Sequence, residues 1–331
     1  MSFSSVSPSP TNHHQMTEDE MTSENSLLAD RLHAMLHQEF TSYPACPDYT
    51  SQADHSSTCS PHSRRAVVND DWRRKICEWA FGVVDHFEYS REAVSLTMNY
   101  LDRYASYAQS KGMPLSRKSF QLAAVASLYL AIKLEGRNEQ GQRLTISTLV
   151  ELSRGLFSVE LIEQMEREIL TALRWKINPP TAAQFIYHLI KLFPVEGIYD
   201  VDAKRVCNGI LETSRFFSEL SVYQSSLAIE QRPSIIAYSC ILNAMELVGP
   251  VTLPCDVRQA FLTRIAGITQ LREDMMEVYN TRTSLRELHS AITDAECGLP
   301  GGSSSDANQG TYDTSMLAST RVSPVCVSGR Q

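Results

Sequence analysis

The chain has 331 residues, 43% of them apolar, and a formal net charge of −8, a composition that supports real cores and a length suited to two domains with tails. It has no dense run of Lys and Arg, which argues against a nucleic-acid partner, because phosphate binding needs clustered cations. Its eight cysteines are scattered without a Cys-x-x-Cys pair, so reduced thiols fit better than a zinc site or a disulfide framework, and no metal or cofactor is expected.

Residues 1–23 are rich in Ser, Thr, Pro and His, with an acidic cluster at Glu18–Glu20, and are expected to be disordered. No basic run precedes an apolar stretch there, so no signal peptide is expected, and no segment reads as a membrane span. Over residues 24–40, Leu27, Leu28, Leu32, Met35 and Leu36 recur at helical spacing and form one apolar stripe. A lone helix this short is marginal in water and should dock on something. Residues 41–70 are Ser/Pro/His-rich and read as a mobile connection.

Trp72–Phe87 follows as a helix with Trp72, Ile76, Trp79, Ala80, Val83 and Phe87 on one face. Ser90 is expected to cap a second helix reaching about Ala105. Ser119–Glu135 is the third and the centre of this half. It is apolar on every side from Leu122 to Ile132, roughly 25 Å long at 1.5 Å per residue, and must be buried in protein. Lys133 and Glu135 stand at its end, and a lysine there must reach water, an acid or another molecule. A polar loop follows over Gly136–Arg143. A short helix spans Thr145–Leu152, and Ser158 caps a longer one with Leu161, Ile162, Met165, Ile169, Leu170 and Leu173 apolar, ended by Pro179 and Pro180.

The second half repeats the plan, with helices expected over Thr181–Phe193, Asp200–Leu220, Ser234–Val248, Asp256–Thr263 and Gln270–Ala291. Sliding the chain on itself by 113 residues brings Leu122 onto Ile235, Ala124 onto Ala237, Leu128 onto Ile241, Ala131 onto Ala244 and Gly136 onto Gly249. Such an internal repeat implies two stacked five-helix bundles, each with a buried central helix. The halves differ where Lys133 falls on Glu246 and Leu130 on Asn243. That asymmetry points to the first half as the one with a partner. The chain closes in a Gly/Ser/Thr-rich stretch expected to be disordered.

At this point the sequence resembles the cyclin family. The motifs that carry the resemblance are WRRKICEWAFGVV, NYLDRY (Asn99–Tyr104), FQLAAVASLYLAIKLEG, MEREILTALRWKINPPTAAQF (Met165–Phe185) and ELSVYQSSLAIEQRPSIIA. They stand in the family's order and spacing and cover most of the chain from Glu24 to Ala291. ADRLHAML (Ala29–Leu36) and LRWKI (Leu173–Ile177) are similar to the D-type group. The LxCxE motif that this group carries near its start is absent here, so binding of a retinoblastoma-type protein by that route is not implied.

The resemblance implies an all-α fold of two tandem cyclin boxes, residues 71–178 and 179–292, with a helix at 24–40, a linker at 41–70 and tails at 1–23 and 293–331. It implies a regulatory subunit of a cyclin-dependent Ser/Thr kinase, without catalytic residues of its own, acting in the cell cycle around G1/S and residing in nucleus and cytoplasm. Lys133 and Glu166 match the family's charged pair that anchors the kinase, with Leu130, Leu134, Leu170 and Trp175 as its apolar surround; a plain structural salt bridge is the other reading. Arg73 and Asp102 match a buried structural pair. Trp72, Ile76, Trp79, Phe120 and Gln121 match the patch where many cyclins dock Arg-x-Leu peptides of substrates and inhibitors. Lys75 stands there at a usually apolar position, so docking groove and core face both stay open. Ser7, Ser9, Ser60 and Ser323 precede proline and are candidates for phosphorylation. Arg282–Leu285 has the spacing of a destruction box but lies in a predicted helix. A transcription-type cyclin and a cyclin-box transcription scaffold are the rival readings; the latter calls for a zinc ribbon and a basic face that this sequence lacks.

Overall fold

The computed structural model describes residues 18–50, 68–113, 115–136, 141, 143–194 and 201–297. Among them are twelve α-helices and no strand. They are α1 (Glu18–Thr41), α2 (Asp70–His86), α3 (Glu92–Ser110), α4 (Arg117–Glu135), α5 (Ile146–Leu152), α6 (Val159–Ala172), α7 (Ala182–Leu189), α8 (Val201–Tyr223), α9 (Ser225–Ala228), α10 (Pro233–Val248), α11 (Cys255–Thr269) and α12 (Met276–Cys297).

Local signals explain most boundaries. Asn69, Ser116, Thr145, Ser158 and Thr181 each accept a backbone N–H in the first turn of the helix that follows, the usual way to satisfy the free donors of a helix start. Several expectations move, α11 among them, which runs to Thr269 and not Thr263. Ser90 is not the cap of α3: Arg91 holds that position without a side-chain bond, while Ser90 Oγ accepts only from the Glu92 amide. The last helix starts at Met276, not Gln270, because Gln270 adopts a left-handed conformation (φ 61°) that closes α11. Short α9 was not foreseen.

Two cores result. In the first, α4 packs against α3, α6, α5 and α2; in the second, α10 packs against α8, α12 and α7. The two helices matched by the 113-residue offset are thus the two central ones. Both end on glycines with positive φ, Gly136 at 94° and Gly249 at 77°, whose amides donate back to Ile132 and Met245. A left-handed stop of this kind favours residues without a Cβ.

The cores do not divide cleanly at the expected boundary. Val222, Tyr223 and Ile229 belong to the first core, and Leu32 and Met35 of α1 belong to the second. Helix α1 begins six residues earlier than expected and packs on α7 and α11 through Leu28, Leu32, Met35 and Leu36, while Leu27 of the expected stripe is left exposed one position off that face. Glu39 on α1 is buried and accepts bonds from the Ser234 amide (3.1 Å) and hydroxyl (2.6 Å). α10 has no side-chain cap of its own, so a carboxylate from a distant helix serves its positive N-terminus. The linker expected to be mobile is packed at its described end: Tyr49 is buried, and its hydroxyl donates to Asp102. Residues 51–67 lie outside the described residues, as do Ser7, Ser9, Ser60 and Ser323.

Candidate functional site

Lys133 stands in the last turn of α4, and Glu166 lies midway along α6. Packing of α6 beside α4 brings Lys133 Nζ to 2.7 Å from Glu166 Oε1. The lysine side chain is 48% exposed and the glutamate 10%. Tyr129, one turn earlier, places its ring 4.9 Å from the same ammonium. An ammonium has three donors, so donors remain for another molecule. Among the described residues Glu166 Oε2 takes no hydrogen bond. The pair is open to water on the lysine side alone, so it stands between exposed pairs, worth about 0–1 kcal/mol, and buried ones, whose desolvation offsets much of their attraction.

The apolar surround separates into two kinds. Leu134 is 49% exposed and Trp175 is 70% exposed. Leu130 and Leu170 are buried at 4% and 8% and belong to the first core, so they support the site from below and are not its surface. A helix apolar all round offers no sequence signal for this distinction. Trp175 is held outward by its backbone: Arg174 and Trp175 both adopt positive φ, 53° and 60°, uncommon for residues other than glycine. Trp175 N–H donates to Leu170, while the Arg103 guanidinium and Tyr100 hydroxyl donate to the carbonyls of Lys176 and Ile177 just beyond. The fold thus spends strain and three hydrogen bonds on a turn that leaves an indole in water.

The second core contains a counterpart with the signs exchanged. Glu246 at the end of α10 pairs with Arg282 (3.1 Å) and Arg286 (3.2 Å) of α12. An ion pair between the central helix and its neighbour is therefore a property of both cores. What sets the first apart is its sign and Trp175.

Arg73 and Asp102 form the expected buried pair, with Nε and Nη2 of the arginine donating to the two carboxylate oxygens at 3.0 and 2.8 Å. Arg73 has no exposed surface, and its Nη1 donates to the carbonyls of Val222 and Tyr223 at the end of α8. The pair thereby ties α2 and α3 to the end of α8, the helix whose Val206, Ile210, Phe217 and Leu220 belong to the second core. Sequence reasoning missed this because backbone carbonyls carry no residue signature. Arg91 adds a second tie, to Glu219 of α8 and to Asp85, and burial raises the Glu219 carboxyl above its usual value despite that partner.

The expected peptide-docking patch is incompletely assembled. Phe120 is fully buried and Ile76 nearly so, while Trp72, Trp79 and Gln121 are partly exposed. The Arg117 guanidinium lies 4.4 Å from the Trp72 ring centre and Lys75 Nζ 6.0 Å. Two cations therefore occupy the aromatic face that the patch would offer. The Arg282–Leu285 sequence is locked in α12, with Leu285 fully buried. Among the described residues no group of His, Cys, Asp and Glu could hold a metal ion, and no helix is long and apolar enough to cross a membrane.

Comparison with known proteins finds similarity over part of the chain. Residues 32–178 match the domain described as Cyclin, N-terminal domain. Cyclin-D3-2 of Arabidopsis thaliana is 29% identical over 210 residues, spanning 62% of this chain and 52% of that protein. G2/mitotic-specific cyclin-2 of Antirrhinum majus is 30% identical over 186 residues, 54% of this chain and 38% of that one. The chain thus spans about half the length, or less, of the curated relatives it matches. Among solved structures, a viral cyclin from herpesvirus saimiri superposes with a TM-score of 0.50 at 19% identity, covering 68% of this chain and 87% of that one; at that identity the likeness concerns the fold.

Proposed function

We propose that the chain is a cyclin, the family whose N-terminal domain its residues 32–178 match and which has D-type members among its relatives, and that it binds and activates a cyclin-dependent Ser/Thr kinase. The observation that carries this reading is the Lys133–Glu166 pair, open to water on its lysine side, with solvent-exposed Leu134 next to Lys133 in the chain and exposed Trp175 just past the end of the helix that carries Glu166. Large apolar side chains around an ion pair with spare donors and acceptors are the ingredients of a docking centre, with Trp the residue type most enriched at such centres. The pair can hold main-chain carbonyls and amides of a partner helix while Leu134 and Trp175 exclude water around it.

In this reading the protein contributes no catalytic group. Docking contributes binding energy to the kinase conformation whose C helix is turned inward, seating that helix's glutamate against the kinase's phosphate-binding lysine, a pairing catalysis requires. The D-type relatives support a role in cell-cycle progression, which we assign to G1/S, with the protein acting in nucleus and cytoplasm. The test is reconstitution: purified cyclin-dependent kinases are assayed on a peptide substrate with and without the protein. The proposal predicts that at least one kinase gains activity in a saturable way. No binding to any member of the panel and no activation would overturn it.

A further inference from the structure

We propose that Tyr129 is a positioning residue of the Lys133–Glu166 site, whose ring aims the Lys133 ammonium at a docked kinase. This role rests on the kinase docking proposed above and adds to it the residue that sets the lysine's direction.

The geometry is local to α4. Tyr129 lies four residues before Lys133, and side chains at i and i+4 share a face and lean toward the helix N-terminus. Lys133 leans back over Tyr129, with Nζ 4.9 Å from the ring centre, while Glu166 Oε1 stands 2.7 Å from the same Nζ. Two contacts therefore restrain an ammonium whose side chain is still 48% exposed. The ring packs in part on the first core, so it is a fixed wall and not a second mobile chain. Its hydroxyl takes no hydrogen bond among the described residues, which leaves the ring face as the part the lysine meets.

The internal repeat supplies a control. The 113-residue offset that brings Lys133 onto Glu246 brings Tyr129 onto Leu242, which is fully buried. The fold thus accepts an aliphatic side chain at this place. The ring stands where the central helix ends on a cation and is missing where it ends on an anion. An aromatic face carries negative charge density, so it attracts an ammonium and repels a carboxylate.

Docking changes what the ring contributes. In the free protein water competes for the ammonium, whereas under a partner water is excluded and the contact strengthens about twofold or more. A lysine also loses rotamer freedom when a partner fixes it, and the ring and Glu166 have already restricted that freedom. Both effects favour the complex, so Tyr129 adds more to affinity than to the stability of the free protein.

The test has two arms on the full chain. In the free protein, proton–carbon spectra with isotope-labelled lysine report the ε-methylene of Lys133, assigned by its loss in Lys133→Arg. The proposal predicts a signal displaced upfield by the ring current, kept in Tyr129→Phe and lost in Tyr129→Leu. An undisplaced signal overturns it whether or not a kinase binds. In the second arm, affinity is measured for the kinase that responds in the reconstitution, beside a thermal melt that confirms folding. Tyr129→Leu weakens binding roughly fivefold to tenfold, and Tyr129→Phe stays within about twofold of the native chain. On a Lys133→Met background the Leu change costs less than about twofold, because the group it acts through is gone. Native-like affinity of Tyr129→Leu, an equal loss in Tyr129→Phe, or an undiminished loss on the Lys133→Met background overturns the proposal. A displaced lysine signal with no kinase bound by the native chain fails the kinase reading itself, and the positioning role with it.

Discussion

Replacing Arg73 with Ala should be among the most damaging single changes to this protein. The side chain is fully buried and holds Asp102 through two hydrogen bonds and α8 through the Val222 and Tyr223 carbonyls. Its removal leaves the Asp102 carboxylate buried with only the Tyr49 hydroxyl, and leaves the α8 carbonyls without that donor. Breaking a buried pair by deleting one partner costs about 3–5 kcal/mol, a large part of a domain's total of about 5–15 kcal/mol. At about 2–4 °C per kcal/mol for units of this size, the melting temperature should fall by roughly 6–20 °C. The three tryptophans, Trp72, Trp79 and Trp175, all lie in the first half of the fold, so intrinsic fluorescence follows the affected core directly. The internal control is Arg272→Ala, whose pair with Asp274 is exposed on both sides at 68% and 73% and should cost less than about 1 kcal/mol. A melt of Arg73→Ala indistinguishable from that of Arg272→Ala would refute the assignment of Arg73 as the pin that ties α2 and α3 to α8.

Two further outcomes follow from the geometry. Burial raises the Glu39 carboxyl above its ordinary value of 4.5 despite the bonds from Ser234, so the folded state binds more protons than the unfolded state between that value and the raised one, and stability falls as pH rises through the window; Glu39→Gln abolishes this dependence, and the wild-type melting temperature minus that of Glu39→Gln should decline from pH 4 to 7, a flat difference counting against it. An Arg-x-Leu peptide brings a third cation to the Trp72 face already holding Arg117 and Lys75, so titration should show weak or no binding to the native protein and stronger binding to Arg117→Ala; tight binding to the native protein would show that Arg117 yields the face.

Much of the fold was legible because caps and periodicity are local. Ser158 was read as a cap and is one, and Asn69, Ser116, Thr145 and Thr181 cap four more helices with side chains of the same kind, though Ser90, equally suited, does not cap α3; the paired Gly136 and Gly249 mark the two central helices. The candidate pair Lys133–Glu166 was legible from motifs, and the geometry brings it together. Long-range contacts were less accessible. The stripe of α1 announces docking, yet nothing local says that it packs on the second core or that Glu39 serves α10. Leu130 and Leu134 look alike in sequence, and only the placement of α4 against α6 separates a buried leucine from an exposed one. Pairing Lys133 with Glu246 by the offset suggested that the fold needs no lysine there and that the first half has the partner. The Glu246–Arg282–Arg286 cluster shows instead that both cores carry an ion pair at this place. What distinguishes the first core is the open lysine of its pair together with exposed Trp175, whose left-handed turn is invisible in composition.

The most direct measurement of the central claim is the kinase affinity of the Lys133→Ala, Glu166→Ala double variant, determined beside its thermal melt. In the free protein Lys133 is half exposed and Glu166 is nearly buried; removing both together leaves no buried charge without its partner, so stability should change by only about 1 kcal/mol. Under a docked kinase the same charges lose water, and removing partners of a buried charged contact costs about 3–5 kcal/mol, a loss of a hundredfold or more in affinity at about 1.4 kcal/mol per decade. The account predicts an unchanged melt with kinase binding and activation lost. Native-like kinase affinity in the folded double variant would contradict it.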